Sequence, residues 1–355
     1  AVGLVHRLQG RAGNRALAPQ LKQKILSLMR TSYAGWPPTH AAQKLAELNG
    51  LTVGVKTLRT WMMQEGLWTK QRKRKAGRRW RERKECSGQM VQFDGSRHEW
   101  VPGQWWTLLK FIDDATGRVF MRFYDAESYA NVADLTIRYM KVFGKPTSIY
   151  TDRGGVYKVN VNNEEGDLLT RYDLALRELG VELIHANSPQ AKGRVERSFS
   201  TDQQRLVREL ALAGISSCQA ANCYLETVYI PQHNARYTRN PRNPIDLHQR
   251  VDGTDFNYVF ATTCQRTVRN DWTIQYMHRT IQLDNSRSAT VKPKDVVTVR
   301  HLLDGRLIVS IRNQIIEFKE IVYRPAKQMP MLPVKPAVYH KPAADHPWRK
   351  YGALM

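Results

Sequence analysis

The sequence predicts a multidomain α/β protein: a helical head, a mixed sheet with helices, and a small β-barrel towards the C-terminal end. Three observations carry this. Apolar residues between 20 and 66 recur at helical spacing; from 88 to 212 strand-like runs alternate with amphipathic helical ones; from 266 to 323 short alternating strands are broken by turn signals. A chain of 355 residues is long enough for two or three domains, each with its own core. Its formal net charge of +23 exceeds what a neutral ligand requires and suits a polyanion, for which nucleic acid is the usual candidate. No apolar run of about 18 residues and no signal peptide is found, so no membrane partner is expected. Cys86, Cys218, Cys223 and Cys264 form no C-x-x-C pair and have no His at zinc-ligand spacing, and they read as reduced thiols in a cytosolic protein. The chain begins Ala1-Val2-Gly3 without Met, so an upstream piece is expected.

Residues 1–18 read as a basic arm, in which "HRLQGRAGNR" presents Arg11 and Arg15 to a minor groove. Residues 19–68 hold three short helical patterns. Leu21, Ile25, Leu28 and Met29 share one face of the first; Pro37-Pro38 opens the second and Asn49-Gly50 closes it; in the third, Val55, Leu58, Trp61 and Met62 are apolar while Lys56 and Arg59 face outward. A Gly-containing turn before the third helix describes a helix-turn-helix, with Lys56 and Arg59 as DNA contacts; a plain three-helix bundle is the other reading. Residues 69–86 form a basic linker. Ten of the fifteen residues in "KQRKRKAGRRWRERK" are Lys or Arg, and Arg72, Lys73, Arg74, Lys75, Arg78 and Arg79 are expected on phosphates.

Residues 87–230 form the predicted core. "QMVQFDG", "WWTLLKFIDDATG" and "VFMRFYDA" read as strands, with Asp114 to Gly117 as a hairpin turn. A helix over 128–144, the short strand "TSIYTDRGG", a second helix near 170–180, the strand "VELIHANS" and a long helix from Arg194 to about Leu212 follow, giving β-β-β-α-β-α-β-α. Residues 231–260, with several Pro and Asn, read as a linker. Residues 261–325 read as the small β-barrel, with turns at Asn270-Asp271 and Asp304-Gly305. Residues 326–355 read as an irregular Pro-rich tail.

Three acids share a structural position in this order. Asp94 ends the first strand, Asp152 ends the fourth, and Glu196 opens the helix after the fifth. Carboxylates packed together repel unless cations neutralise them, and hard oxygen ligands call for Mg²⁺ or Mn²⁺. Two such ions about 3.5–4 Å apart can activate an attacking oxygen and stabilise a leaving oxygen at phosphorus. Lys192, Arg194 and Arg197 around Glu196 would then hold the phosphodiester. Asp113 and Asp114 read as hairpin chemistry, and His98 and His185 as packing or DNA-proximal residues. "HNAR", His233 to Arg236, has the H-x-x-R spacing of tyrosine recombinases without that family's surrounding pattern.

The motifs "VQFDGS", "SIYTDRGG" and "SPQAKGRVERSF" resemble the three acidic motifs of the DDE transposase and retroviral integrase superfamily, whose core is ribonuclease-H-like. The layout resembles above all bacterial insertion-sequence transposases that join N-terminal helix-turn-helix domains to this core and a small C-terminal β-domain. The resemblance implies that Asp94, Asp152 and Glu196 are the catalytic, metal-binding triad, and that Gln190, Lys192 and Arg197 contact the transposon end. It implies two Mg²⁺ or Mn²⁺ ions, double-stranded DNA (transposon ends and target) as partner, a homodimer or homotetramer on DNA, and a cytoplasmic, nucleoid-associated protein. Two departures stand out. The 44 positions from Asp152 to Glu196 exceed the commonest spacing, with 158–168 as the apparent insertion. The His/Cys zinc module of retroviral integrases has no counterpart. Two rival readings are a DNA-binding regulator with an inactive nuclease-like domain and a ribonuclease acting on RNA–DNA hybrids.

The two basic segments should separate in a binding assay. Neutralising Arg72, Lys73, Arg74 and Lys75 should weaken all DNA alike, and should flatten the slope of log K against log salt by about 0.9 for each phosphate they hold. Changing Lys56 and Arg59 to Ala should weaken end sequence more than random sequence. Identical behaviour of the two sets would exclude the helix at 54–66 as the recognition helix.

Overall fold

The computed structural model describes residues 17–69, 82–152, 170–186, 193–284, 291–312, 314–321 and 343–347. The chain divides into two units at Thr263, with Arg300–Leu307 returning to the first. In the first unit the head consists of α1 (Pro19–Arg30), α2 (Pro38–Asn49) and α3 (Val55–Gln64). Pro19 and Pro38 stand at helix starts, where their fixed φ suits the first turn and no N–H is missed. Gly50 stops α2 in the left-handed region, at φ 66°, and its N–H satisfies Leu45 C=O. Ile25, Met29, Trp36, Leu45, Leu58 and Met62 fill the space between the helices.

The central sheet has the order β3-β2-β1-β4-β5. Its strands are β1 (Val91–Val101), β2 (Gln104–Asp113), β3 (Val119–Tyr124), β4 (Ser148–Thr151) and β5 (Glu182–His185). β1, β2 and β3 pair antiparallel, and β4 and β5 join parallel to β1, so the sheet is mixed as expected. Helices α4 (Tyr129–Phe143) and α5 (Arg171–Glu178) follow β3 and β4. They cover one face, packing on Val91, Phe93, Leu109 and Phe111. The other face belongs to α6 (Gly193–Leu212), α7 (Cys218–Tyr224) and a π-helical turn (Leu225–Tyr229) that leads into α8 (Ile230–Tyr237). These pack Val195, Phe199, Leu206 and Leu225 against Trp100, Leu108 and Phe123.

Residues 231–260 do not behave as a linker. Asn234 on α8 accepts from Val119 N–H at 2.8 Å and donates to Val119 C=O at 3.0 Å. His248 meets the Tyr139 hydroxyl at 2.7 Å. Lys145 and Gln249 exchange two backbone hydrogen bonds, and a Cβ on Gly144 would sit 2.6 Å from Gln249 O. The short helix α9 (Phe256–Val259) delivers Phe256 to the core beside Phe260. The Pro and Asn content reflects a chain wrapping the core, with its polar backbone bonded to it.

The second unit corrects the barrel expectation. Strands β6 (Thr262–Thr267), β9 (Val296–His301), β10 (Leu307–Ile311) and β11 (Gln314–Ile316) form an open sheet ordered β11-β10-β9-β6. Strands β7 (Thr273–Tyr276), β8 (Arg279–Leu283) and β12 (Phe318–Ile321) form another, ordered β12-β8-β7. Only Glu317 separates β11 from β12, where the chain passes from one sheet to the other, and among the described residues the strands close no barrel. Asp304-Gly305 lies in the β9–β10 turn, with Gly305 at φ 87°. The tail falls outside the described residues except for 343–347. Among the described residues no helix is long and apolar enough to cross a membrane.

The head docks on α6 within the first unit through buried charge. Glu209 accepts from Lys44 at 3.0 Å, meets His40 Nε2 at 2.8 Å and accepts from the Tyr224 hydroxyl at 2.9 Å. Lys44 also pairs with Glu47 at 3.1 Å, and Glu47 with Arg236 on α8 at 3.0 Å. Removing one partner of a buried ion pair costs about 3–5 kcal/mol, so Glu209→Ala should lower the urea midpoint markedly. Burial raises the Glu209 carboxyl, but the bonds from His40 and Lys44 outweigh burial and hold it at about 2. Its folded value is depressed, so its contribution is full above the unfolded value of 4.5 and is lost as pH falls from there towards about 2. The stability difference between wild type and Glu209→Gln should therefore shrink between pH 5 and pH 2. A constant difference would refute this role for the carboxylate.

Candidate active site

The alternation of a strand decides where Asp94 and Asp152 point. Val91 and Phe93 pack on the α4 and α5 side, so Gln92, Asp94 and Ser96 face α6. On β4, Ile149 belongs to the α4 and α5 core, which sends Tyr150 and then Asp152 to the α6 side. Val91 pairs with Ile149 and Gln92 with Tyr150, an offset of 58 that Asp94 and Asp152 keep. The paired stretch of β1 and β4 ends at Gln92 and Tyr150, so Asp94 and Asp152 each lie two residues beyond it, Asp152 just past the end of β4. Asp94-Gly95 is not a turn: both residues lie within β1. A Cβ at Gly95 would meet the carboxylate of Glu127, the far end of an exposed side chain that can swing aside. Asp152 is held through its backbone, its C=O receiving Thr151 Oγ1 at 2.8 Å and facing His185 Nδ1 at 3.3 Å.

Helix α6 runs alongside β1 in the same direction. Gln92 donates to Asp114 Oδ1 at 2.6 Å, and Arg194 pairs with the same oxygen. One step further, Lys110 on β2, directly opposite Asp94, bonds Ser198 and Asp202. Further still, Gln203 donates to Ser96 Oγ at 3.0 Å. The strand from Gln92 to Ser96 and the helix from Arg194 to Gln203 each advance about 13.5 Å, so the two elements stay in step. Glu196 lies two turns before Gln203 on the same helix face, because seven residues bring an α-helix back to within about 20°. It therefore opens the helix face that meets β1, at a level between Gln92 and Asp94.

The backbone brings the three acids to one end of the sheet, but their side chains do not close around a common point. Glu196 is exposed and Asp94 and Asp152 are half-buried, and among the described residues no three His, Cys, Asp or Glu side chains are arranged to hold a metal ion. The carboxylate donor set has the chemistry of a hard divalent cation. Its third member would have to turn inward to complete such a site.

A second polar cluster lies under the acids. Lys110 is wholly buried and paired with Asp202, which also accepts from the Tyr229 hydroxyl at 2.9 Å. Burial pulls the ammonium below its ordinary range against the opposing pull of Asp202. The one cation in the buried run "WWTLLKFID" was the signal for this cluster, and sequence reasoning missed it. It also missed the second role of the hairpin acids. Asp113 shapes the turn, accepting from Thr116 N–H and Oγ1 at 2.7 Å each, whereas Asp114 anchors Gln92 and Arg194.

The expected DNA contacts divide. Lys56 is exposed on α3. Arg59 sits 5.8 Å from the Trp68 ring with its Nε buried and without a hydrogen-bond partner. Arg197 is exposed, while Arg194 is turned into the protein against Asp114. Arg11, Arg15, Arg72, Lys73, Arg74, Lys75, Arg78, Arg79, Gln190 and Lys192 lie outside the described residues, as does the stretch 158–168.

No protein-family model matches the chain. It is 34% identical over 325 residues to a Sinorhizobium fredii protein described as "Putative transposase y4bF", covering 90% of this chain and 71% of that one. It is 24% identical over 388 residues to the transposase for insertion sequence IS1202 of Streptococcus pneumoniae, covering 97% of this chain and 83% of that one. Among solved structures it aligns with a simian T-cell lymphotropic virus intasome in complex with a PP2A regulatory subunit, at TM-score 0.37 and 13% identity over 83% of this chain and 95% of that one. It also aligns with the HTLV-2 integrase catalytic core in complex with magnesium, at TM-score 0.31 and 16% identity over 40% of this chain and 89% of that one. At such scores these structural likenesses carry no inference about activity. The first sequence relationship does: the chain belongs to the family of insertion-sequence transposases, the group within the DDE transposase and integrase superfamily that its three acidic motifs resemble.

Proposed function

We propose that the protein is a DNA transposase that binds the inverted repeats at transposon ends, hydrolyses the 3′ ends and joins them to target DNA. The observation that supports this best is that Asp94 and Asp152 each follow the paired stretch of the parallel strands β1 and β4 by two residues, in a chain of this family whose helix α6 packs on β1 and carries Glu196 in its first turn. In this reading Asp94, Asp152 and Glu196 hold two Mg²⁺ or Mn²⁺ ions. Such ions supply Lewis-acid activation of water or a DNA 3′-OH and stabilise the leaving oxygen. The chain's own contribution is placement. β1 and β4 fix two carboxylates relative to each other, and α6 brings the third together with Arg197. The α3 face with Lys56 and Arg59 reads end sequence as the recognition helix of a helix-turn-helix, and the basic segments on either side of the head hold phosphates. Joining two ends requires two catalytic centres, so the active species is a homodimer or homotetramer on double-stranded DNA, in the bacterial cytoplasm at the nucleoid.

Asp94→Asn, Asp152→Asn and Glu196→Gln should each abolish cleavage and strand transfer while leaving end binding nearly unchanged. Each removes a ligand charge without altering the DNA-reading surface. Mg²⁺-dependent joining by Glu196→Gln would remove that residue from the site. End binding by the wild type without any nicking would favour the inactive regulator. A single in-line displacement inverts phosphorus, so strand transfer into target DNA bearing a chiral phosphorothioate should invert the centre. Retention, or a protein–DNA adduct surviving denaturation, would overturn the mechanism.

A further inference from the structure

Around α6 from Glu196, the helix presents a second face. Arg194, Arg197, Ser198 and Thr201 follow the i, i+3, i+4, i+7 spacing of one stripe, and all four line a cavity of about 180 Å³ that Arg83 and His233 on α8 complete. That is several times the roughly 30 Å³ share of a water molecule in the liquid, enough for a phosphate group with its sugar. No Asp or Glu lines it among the described residues.

Two features of this wall are unexplained by the fold alone. The first is crowded positive charge. Arg83 donates through one nitrogen to the carbonyls of Asp114 and Ala115, at 3.1 and 3.3 Å, and the Asp114 and Asp113 charges offset its own only in part. Burial, and then the nearby charges of Arg194 and Arg239, press its pKa down. Asp114 is the carboxylate that Arg194 meets here, and it also serves Gln92. The second is His233, 7% exposed, whose Nδ1 is buried with no hydrogen-bond partner. Burial, reinforced by the Lys110 charge, lowers the imidazole to about 4, so at pH 7 it is a neutral ring with an unused nitrogen. A buried polar atom without a partner costs about 1–3 kcal/mol, and a ligand that supplies one recovers it.

Guanidinium forks, hydroxyls and an imidazole donor are the chemistry of a phosphate oxyanion, which here shares Arg194 with Asp114. We propose that this cavity holds a phosphate group of a nucleic-acid strand, gripped by Arg83, Arg194 and Arg197, with Thr201 and His233 donating to its oxygens. The identity of the strand rests on the transposase reading; the phosphate chemistry does not. The group is either a 5′-terminal monoester or an internal diester.

The test uses the full chain in EDTA, so that no divalent cation contributes, and short fluorescein-labelled oligonucleotides with either a 5′-phosphate or a 5′-hydroxyl. Arg197→Lys combined with Thr201→Val preserves net charge but removes a fork and a hydroxyl, and should weaken binding about tenfold. Thr201→Ser, which keeps the hydroxyl, should bind as wild type. Weakening confined to the 5′-phosphorylated strand assigns the monoester, and equal weakening of both assigns the diester. Unchanged binding by the folded double variant overturns the site. Wild-type cleavage of transposon ends in Mg²⁺, measured on the same preparation, separates the two readings. Unchanged oligonucleotide binding with intact cleavage sinks the cavity alone, and weakened binding without wild-type cleavage sinks transposition and leaves the cavity standing.

Discussion

The buried pair of Lys110 and Asp202 is the constraint on which the arrangement of the first unit depends. Both side chains are fully inaccessible, and taking two charges out of water is expensive unless their remaining donors and acceptors are met. Here they are met by Ser198 from α6 and by Tyr229 from the π-helical turn. Such a pair adds little to stability over an apolar replacement, but it tolerates few alternatives in register. It permits one depth and one rotation of α6 on the sheet, because a slip of either element strands a charge in the interior. Since Lys110 stands opposite Asp94, that choice also sets where Glu196 begins relative to the aspartates.

Around this anchor the molecule keeps opposite demands apart. The sheet end carries acids whose mutual repulsion favours a cation, and the flank of α6 carries arginines that favour an anion. The helix separates them by rotation. Glu196 shares the face of Gln203, and Arg197 and Thr201 lie on the neighbouring stripe. On the proposed reading, a strand of DNA and the ions that act on it would approach one helix without their protein ligands neutralising each other.

Much of this was legible in the sequence because its causes are local. Gly50 and the proline pair delimit α2, alternation shows which residues of β1 share a face, and the order of strands and helices implies a mixed sheet. What was not legible depends on partners distant in the chain. Nothing near Lys110 reveals Asp202, and nothing near Asn234 reveals that it caps the edge of β3. Composition therefore suggested a linker where the chain packs. The second unit failed for a different reason. The β7–β8 turn puts Met277 and His278 at positive φ without the Asn or Gly that usually marks such a hairpin, and the single-residue corner at Glu317 has no sequence signature. Of the site, the acids were visible as residue types near strand ends, although Asp94 proves to lie inside β1, which runs on to Val101. The inward turn of Arg194 and the failure of the three carboxylates to meet were not.

The docking of the head carries a consequence for how such proteins diversify. Recognition domains are commonly regarded as modules that evolution or an engineer can exchange along a flexible joint. In this chain, Glu209 on α6 is completed by His40 and Lys44 of α2, while Arg236 reaches Glu47 from the far side. A foreign head lacking the Lys44 charge and the His40 donor would leave Glu209 buried with Tyr224 alone to meet its carboxylate. Exchange of the head, and with it of the DNA specificity proposed for it, is therefore a substitution of two matched surfaces, and a graft confined to residues 19–68 would carry over only half of the joint.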